Sequence, residues 1–383
     1  MDKIIDVNLK LFTSLLCSPV PLAQGILYAR RKSMRHLIDT LEKEGMLSKE
    51  ELTKLLSGFN VDDSEYLLKR AREITKQNFG NGIYTRGLIE ITNYCKNDCY
   101  YCGIRKGNRL AERYRLSKDE IQSCCQQGYG LGFRTFVLQG GEDPWFTDER
   151  ILDIIKSIKT DYPDCAITLS MGEKTYDQYL KYYDAGVDRY LLRHETADAN
   201  HYSRLHPKDL TLENRKQCLL DLKEIGYQVG TGFMVGSPYQ TFENLADDLL
   251  FIKELEPEMV GIGPFIPHKD TPFGKCEQGA MDLTIFIIGI LRLMLPHSLI
   301  PSTTALGTIH TRGRENGILA GANVVMPNLS PKQVRGKYLL YDNKIFTGEE
   351  EAESIELLQK QMNKIGYQLL VDRGDHQNGK ERI

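Results

Sequence analysis

Three thiols set the chemistry of this chain. Cys95-Lys-Asn-Asp-Cys99-Tyr-Tyr-Cys102 directly follows the apolar run Leu88-Ile89-Glu90-Ile91-Thr92. Thiolates at Cys-x3-Cys-x2-Cys spacing can ligate three irons of a [4Fe–4S] cube and leave the fourth without a protein ligand. An open metal position separates a reactive site from a structural one. The amine and carboxylate of an amino acid can chelate such an iron, and the methionyl end of S-adenosylmethionine (SAM) carries both. An electron delivered to its sulfonium breaks a carbon–sulfur bond and yields a 5′-deoxyadenosyl radical, chemistry that belongs to the cofactor rather than to the protein. The plainer alternative is a zinc or redox pair, Cys99 and Cys102, beside a stray thiol. No second cysteine pair stands nearby to complete a zinc site.

With this spacing, and with an aromatic residue, Tyr101, before the last cysteine, the segment resembles the signature of the radical-SAM superfamily. The resemblance implies that Cys95, Cys99 and Cys102 are both the metal ligands and the centre of catalysis.

The composition fits that chemistry. The chain has 383 residues, 41% apolar and 26% charged, which is ordinary for a large globular domain with an appendage. A net charge of −3 and the lack of any basic, aromatic-interleaved cluster exclude an electrostatic case for nucleic acid. Nine cysteines, an odd number with six of them scattered, fit a reducing cytoplasm better than a disulfide framework. Residues 1–33 read as an extension. Asp2 and Asp6 sit where a signal peptide would be basic, and Lys10, Pro19 and Pro21 interrupt its apolar stretch. Met281–Met294 is apolar but short, and it contains Asp282 and Arg292. It therefore reads as a buried helix, and no stable membrane insertion is expected.

The elements that position the thiols follow from periodicity. Residues 34–84 carry helical patterns, with Ser48 and Glu51 forming a capping box, and are expected to cover the base of the following domain. From Arg86 onward, short apolar runs alternate with helical segments. Strands are expected at 87–93, 135–139, 166–170, 188–193, 228–233, 259–263, 300–303 and 322–326. Eight strands over about 240 residues match a (β/α)8 TIM barrel. The barrel is assigned to 85–348, and a last helix and a frayed polar tail to 349–383.

In such a barrel the active site lies at the C-terminal ends of the strands. Those ends carry Gln139-Gly140-Gly141-Glu142, Thr168 and Ser170, Arg193-His194-Glu195, Met234, and Thr303-Thr304. Each admits a structural role: a tight turn for the glycines, an ion pair for Arg193 and Glu195, a cap for the threonines. Placed one strand after the cysteines, Gly140-Gly141-Glu142 resembles the superfamily's Gly-Gly-Glu segment, whose backbone receives the SAM amine. Glu195 is then expected at the ribose or amine, and Arg193 and Arg215 at the carboxylate, where a guanidinium fork fits. Tyr101, Thr168, Ser170 and Met234 complete the expected SAM site. His194 faces the other way and reads as a packing residue. Deeper in the barrel, Gln139, Arg189, Thr303, Thr304 and Tyr341 are expected to line an anionic substrate site, with an ion pair to Asp184 or Asp188 as the alternative for Arg189.

Longer stretches narrow the resemblance. Leu138-Gln-Gly-Gly-Glu-Asp-Pro144, Asp188-Arg-Tyr-Leu-Leu-Arg-His-Glu-Thr196, Met259-Val-Gly-Ile-Gly-Pro-Phe-Ile-Pro-His268 and Ala322-Asn-Val-Val-Met-Pro-Asn328 resemble the HydE maturases of FeFe-hydrogenase. Biotin synthase and methylornithine synthase are relatives of that family. The resemblance covers about residues 35–345. It implies a closed barrel cavity with SAM at the top, one [4Fe–4S] cluster, and a small-molecule substrate. That substrate is an iron–carbonyl–cyanide complex of cysteine received from another hydrogenase maturase, on the way to the dithiomethylamine-bridged subcluster. Two departures stand out: Gly140 occupies a position where this family often has serine, and no cysteine after Cys276 is available for a second cluster. The competing readings are a carbon-skeleton mutase like methylornithine synthase and a non-enzymatic cluster carrier, which would not cleave SAM.

Overall fold

A computed structural model describes residues 33–346 and 350–377; residues 1–32, most of the expected N-terminal extension, lie outside it. Three helices open the described chain: α1 (Arg35–Glu44), α2 (Lys49–Gly58) and α3 (Val61–Phe79). The expected Ser48–Glu51 capping box starts α2, and Asn60 with Asp63 repeats the device at α3. Strand β1 (Gly82–Thr85) leads into β2 (Gly87–Thr92), and five more parallel strands follow in order: β3 (Thr135–Gly140), β4 (Ala166–Ser170), β5 (Arg189–Leu191), β6 (Gln228–Thr231) and β8 (Met259–Val260). A two-stranded extension at the top of the barrel pairs β7 (Met234–Val235) with β9 (Gly263–Pro264).

Closure of the barrel rests on single bridges: Met259 to Leu299, Pro301 to Val324, and Leu88 to Asn328. The chain at 299–301 and β10 (Val324–Val325) thus supply the seventh and eighth positions. The seventh is short because Pro301 has no N–H to donate and because Ile300 donates to the Asn323 side chain (2.8 Å). All eight positions match the expected strands, though several are shorter.

Strand parity sorts the side chains. Ile89, Ile91, Phe136, Leu138, Ile167, Leu169 and Tyr190 point outward into one core with the helix faces of α4 (Lys118–Gly130), α5 (Asp148–Asp161) and α6 (Tyr176–Asp184). Around the rest of the ring come α7 (Ala199–Leu205), α8 (Leu212–Ile225), α9 (Phe242–Leu255) and α10 (Met281–Met294). The short helices α11 (Thr304–Ile309), α12 (Gly313–Leu319) and α13 (Lys332–Arg335) follow, and α14 (Ile355–Lys364) leads to β11 (Gln368–Leu370). As expected, α10 is buried, and no described helix is long and apolar enough to cross a membrane.

The N-terminal helices do not cover the base. They pack on the flank against α9 and α10: Phe59 stacks on Phe286 at 3.9 Å, Lys49 pairs with Asp247 at 2.6 Å, and Gly289 lets Leu67 and Leu68 of α3 approach α10. The base is closed by the C-terminal segment; of the tail expected to fray, residues 374–377 are held there and 378–383 lie outside the described residues. Strand β11 adds to β1, and Arg373–Asp375 turns under the barrel.

At that base lies Arg189, fully buried. It donates to Asp375 (2.5 Å), the Arg373 carbonyl (2.9 Å), Thr135 (3.1 Å) and Gln228 (3.2 Å). Burial by itself would raise the Asp375 pKa, but the Arg189 charge and the bonds from Arg373 and Gln228 hold it down at about 2. A depressed carboxylate pKa means that this contribution to stability is complete above the unfolded value near 3.8 and is lost as pH falls toward 2. Asp375→Ala is expected to cost on the order of 2–3 kcal/mol, less than a fully enclosed pair because Asp375 is about a third exposed. Urea unfolding at pH 7 should show a lower midpoint with an unchanged slope.

Candidate active site

The cysteine loop leaves the end of β2 and is fixed from several sides. Lys96 N–H donates to the Glu142 carbonyl (2.8 Å), and Gly103 N–H to the Leu340 carbonyl (2.8 Å). Arg113 spends its guanidinium on the carbonyls of Asn93, Ile104, Arg105 and Asn108, which gathers both arms of the loop. At Gly141 a Cβ would stand 2.2 Å from the Tyr94 carbonyl and 2.8 Å from the Cys95 Cβ, so only glycine lets the next strand end approach the loop.

Cys95, Cys99 and Cys102 are partly exposed, whereas Cys124, Cys125, Cys165, Cys218 and Cys276 are buried. Burial first, and then the neighbouring thiols, push the Cys99 pKa well up; Cys102 rises to about 12 for the same reasons. Thiols that raise one another in this way are close together, and the nearby Arg113 and Arg215 charges do not offset their burial; a metal cluster would supply the positive charge that holds them as thiolates. Among the described residues, no three His, Cys, Asp or Glu side chains converge as a single-ion site. Three thiols on one short loop suit a cube whose irons each take one thiolate, an arrangement that does not require them to converge on one ion.

The expected SAM residues gather on the barrel side of this loop. Burial and then the Glu195 and Cys99 charges push the Tyr101 phenol up, so those three groups are neighbours; its hydroxyl meets His206 Nε2 at 3.2 Å. Met234 packs in the apolar cluster that also holds Tyr101 and Phe265. Gly140 ends β3, and Ser170 ends β4 beside Gln139. The Glu142 carboxylate turns aside to Lys96 (3.2 Å) and the Glu173 N–H (3.0 Å), so this side chain braces the segment.

Glu195 has a φ of +67°, a costly conformation outside glycine, fixed by its N–H bond to the Gly232 carbonyl (3.0 Å). Arg193 Nη2 lies 3.1 Å from Glu195 Oε2, but the approach is not that of a hydrogen bond. Arg193 Nε and Nη2 and Glu195 Oε2 are thus buried atoms without a hydrogen-bond partner. The two side chains form an ion pair, and the hydrogen-bonding capacity of these atoms is left over.

Arg215 departs from expectation. It is buried and donates to Glu173 (2.6 Å) and to the Arg193 carbonyl (2.8 Å). With those bonds made, it fixes the backbone behind Arg193 instead of offering a free fork. His194 is the packing residue expected: fully buried, 2.9 Å from Thr231 Oγ1, and held neutral by burial with its pKa lowered to about 3.

Deeper, Thr168 and Thr303 each present a buried hydroxyl oxygen with no partner. Thr168, expected at SAM, departs from expectation: it pairs in register with Arg189 two residues before Ser170 and so lies deeper in the barrel. Gln139 reaches the Tyr338 hydroxyl at 3.4 Å. Tyr341 is partly buried, its pKa raised first by burial, with Thr308 as its hydrogen-bond partner and the charges of Glu350, Glu90 and Arg193 nearby. Two of the expected substrate residues are placed differently. Thr304 donates to Glu350 (3.0 Å), which also holds Arg314, so its hydroxyl is already engaged. Arg189 shares the predicted inward face but points down to the base, where Asp375 replaces the Asp184 or Asp188 considered as its alternative partner.

Sequence reasoning missed the ion pair of Glu90 and Lys344, in which Asn328 also donates to Glu90 (2.9 Å). A lone carboxylate at an inward position of Leu88-Ile89-Glu90-Ile91 was a usable signal for the first; nothing local marks Lys344.

Comparison with known proteins identifies the family. The profile of the Radical SAM superfamily matches residues 89–252. The [FeFe] hydrogenase maturase subunit HydE of Thermotoga maritima is 44% identical over 349 residues, 91% of this chain and 98% of that protein. The 3-methylornithine synthase of Methanosarcina acetivorans is 29% identical, over 84% of this chain and 90% of its own length. Among solved structures, methylornithine synthase (PylB) superposes with a TM-score of 0.77 at 27% identity, covering 87% of this chain and 97% of that one. The maturase HydG reaches a TM-score of 0.76 at 20% identity over 90% and 77%, a likeness of fold alone. With three thiols on the loop after the first barrel strand, and 44% identity over 91% of its length to a known maturase, this chain belongs to the HydE family of radical SAM enzymes, which work with a [4Fe–4S] cluster and SAM.

Proposed function

We propose that the chain acts in FeFe-hydrogenase maturation on a cysteine-ligated iron–carbonyl–cyanide complex, as a step toward the dithiomethylamine-bridged subcluster, in the cytoplasm and alongside other maturases. The observation that carries this reading is the set of buried polar atoms without a hydrogen-bond partner on Thr168, Arg193, Glu195 and Thr303, which lie on or just after barrel strands. When bound, the cluster and SAM supply a 5′-deoxyadenosyl radical. The residues of the chain orient and enclose. Cys95, Cys99 and Cys102 hold the cluster. Arg193 offers two N–H groups to the SAM carboxylate, Glu195 accepts from its amine or ribose, and the backbone at Gly140-Gly141-Glu142 receives the amine; Ser170, Tyr101 and Met234 flank this layer. Arg215 keeps Arg193 in place. One layer down, Thr168, Thr303, Gln139 and Tyr341 face the anionic complex, and the barrel wall excludes water from a reactive intermediate.

Product analysis of the reduced holoenzyme with SAM and the synthetic iron–cysteine complex tests the reading. Formation of 5′-deoxyadenosine should rise when the complex is added. Thr303→Val, which removes a hydroxyl and keeps the shape, should retain the complex-free rate and lose most of the increase, on the order of ten-fold for one buried hydrogen bond to a charged ligand. Conversion of lysine to methylornithine, with no response to the complex, would contradict the proposal and favour a mutase.

A further inference from the structure

Glu195 holds a left-handed backbone conformation, and its N–H bond to the Gly232 carbonyl is only one of the restraints on it. Others come from a fully buried carboxyl group on α9. Asp248 Oδ1 accepts from the Ala197 N–H at 2.5 Å. The same oxygen lies 3.3 Å from Nε2 of His194, which is also fully buried. One carboxyl group therefore touches the chain one residue before Glu195 and two residues after it.

The second ring nitrogen of His194 carries the connection to the next strand. Its Nδ1 meets Thr231 Oγ1 at 2.9 Å, and Thr231 ends β6 just before Gly232, whose carbonyl receives the Glu195 N–H. Helix α9, the turn after β5 and the end of β6 are thus joined through Asp248, His194 and Thr231, with Glu195 between the contacts.

The surroundings decide the charge of this group. Phe251 meets the His194 ring edge-on at 5.0 Å, and the Phe233 ring lies 5.7 Å from it. Among the described residues no Lys or Arg forms an ion pair with Asp248. Lys216 on α8 turns to the Ala197 carbonyl (3.3 Å) and the Phe251 ring, and the adjacent Asp247 pairs with Lys49. A carboxylate enclosed in this way loses its hydration and gains no cation in return. Burial accordingly pushes the Asp248 carboxyl well above its ordinary range, against the opposing effect of the Ala197 N–H. Asp248 Oδ2 and His194 Nε2 both lack a hydrogen-bond partner, and an acid proton directed at the neutral imidazole would satisfy the two together.

We propose that Asp248, as an uncharged acid, is a positioning residue for SAM: through Ala197 and His194 it holds the strained turn that presents Glu195. The proposal rests on the reading that Glu195 contacts SAM, and its test separates the two.

Equilibrium titration of SAM onto the oxidised holoenzyme is the readout, with iron content measured alongside. Asp248→Ala should weaken SAM binding about ten-fold, the lower end of what loss of a supporting partner costs at a metal site, and leave iron content unchanged. Asp248→Asn keeps an acceptor for Ala197 and an uncharged donor for His194, and should restore wild-type affinity. In a Glu195→Ala background Asp248→Ala should add less than about two-fold, because it acts through that side chain; independent effects would multiply. Thr231→Val removes only the far contact of His194 and keeps the shape. It should give a smaller defect of the same kind, and it carries the test if Asp248→Ala folds poorly. Wild-type affinity in Asp248→Ala or in Thr231→Val, a loss in Asp248→Asn as large as in Asp248→Ala, or multiplied effects in the double variant would overturn the positioning role. Wild-type affinity in Glu195→Ala alone would instead count against the placement of Glu195 at SAM.

Discussion

Replacing Cys95, Cys99 or Cys102 with alanine is expected to reduce iron from about four per chain to background, and to abolish SAM cleavage with any reductant. The effect is complete rather than graded because a cube held by three thiolates has no spare protein ligand. The loss is also selective. Cys124, Cys125, Cys165 and Cys218 are buried in the core between strands and helices, and Cys276 is buried in an apolar cluster that also touches Tyr100 and Tyr101 of the loop; all five pack as small apolar groups. Cys124→Ala and Cys276→Ala should keep full iron content. Roughly eight irons per chain, with two distinct spectroscopic signals, would show a second cluster and contradict the single-cluster assignment.

The second large effect is expected at the arginine–glutamate pair. Arg193→Ala and Glu195→Ala should leave iron content intact and weaken SAM binding by about 1.5–3 kcal/mol each, or roughly ten- to more than a hundred-fold in Kd, because each removes a charge-assisted bond in a water-poor site. Glu195→Ala gives up more than its carboxylate. Its φ of +67° persists because the N–H is tied to the Gly232 carbonyl, so the replacement keeps the strained backbone and loses the group it presents. Arg193→Lys tests geometry, since one ammonium cannot imitate two adjacent guanidinium donors; it should recover little. Arg215→Ala should act through Arg193, whose carbonyl it holds at 2.8 Å, and therefore produce a smaller version of the same defect. Equilibrium titration of SAM onto the oxidised holoenzyme reads all four variants. Wild-type affinity in both alanine variants would remove the pair from the SAM site.

Much of this was legible because a parallel barrel turns sequence into geometry. Strand ends are active-site positions, and alternation along a strand separates Arg193 and Glu195 from His194. Parity gives the face but not the height. Arg189 shares the inward face of Arg193, yet it opens its strand, and its long side chain extends downward to Asp375. That partner comes from 186 residues further along the chain, in a segment with no periodic pattern to announce it. The same limit applies to Thr304, whose hydroxyl looked free until the fold brought in Glu350. The N-terminal helices had correct periodicities and caps, but a helix pattern shows that an apolar face exists, not which surface covers it; here α9 and α10 do. Closure through isolated bridges at Leu299 and Pro301 also has no local signature, because the pairing depends on where the neighbouring strands end.

The measurement that bears most directly on the central claim is in vitro maturation of FeFe-hydrogenase with every other maturation component present and this chain as the only variable. Wild-type protein should give hydrogen evolution in proportion to the amount added, together with 5′-deoxyadenosine from SAM. The Cys99→Ala variant should give neither. Full hydrogenase activity with Cys99→Ala, or with the chain left out, would contradict the assignment.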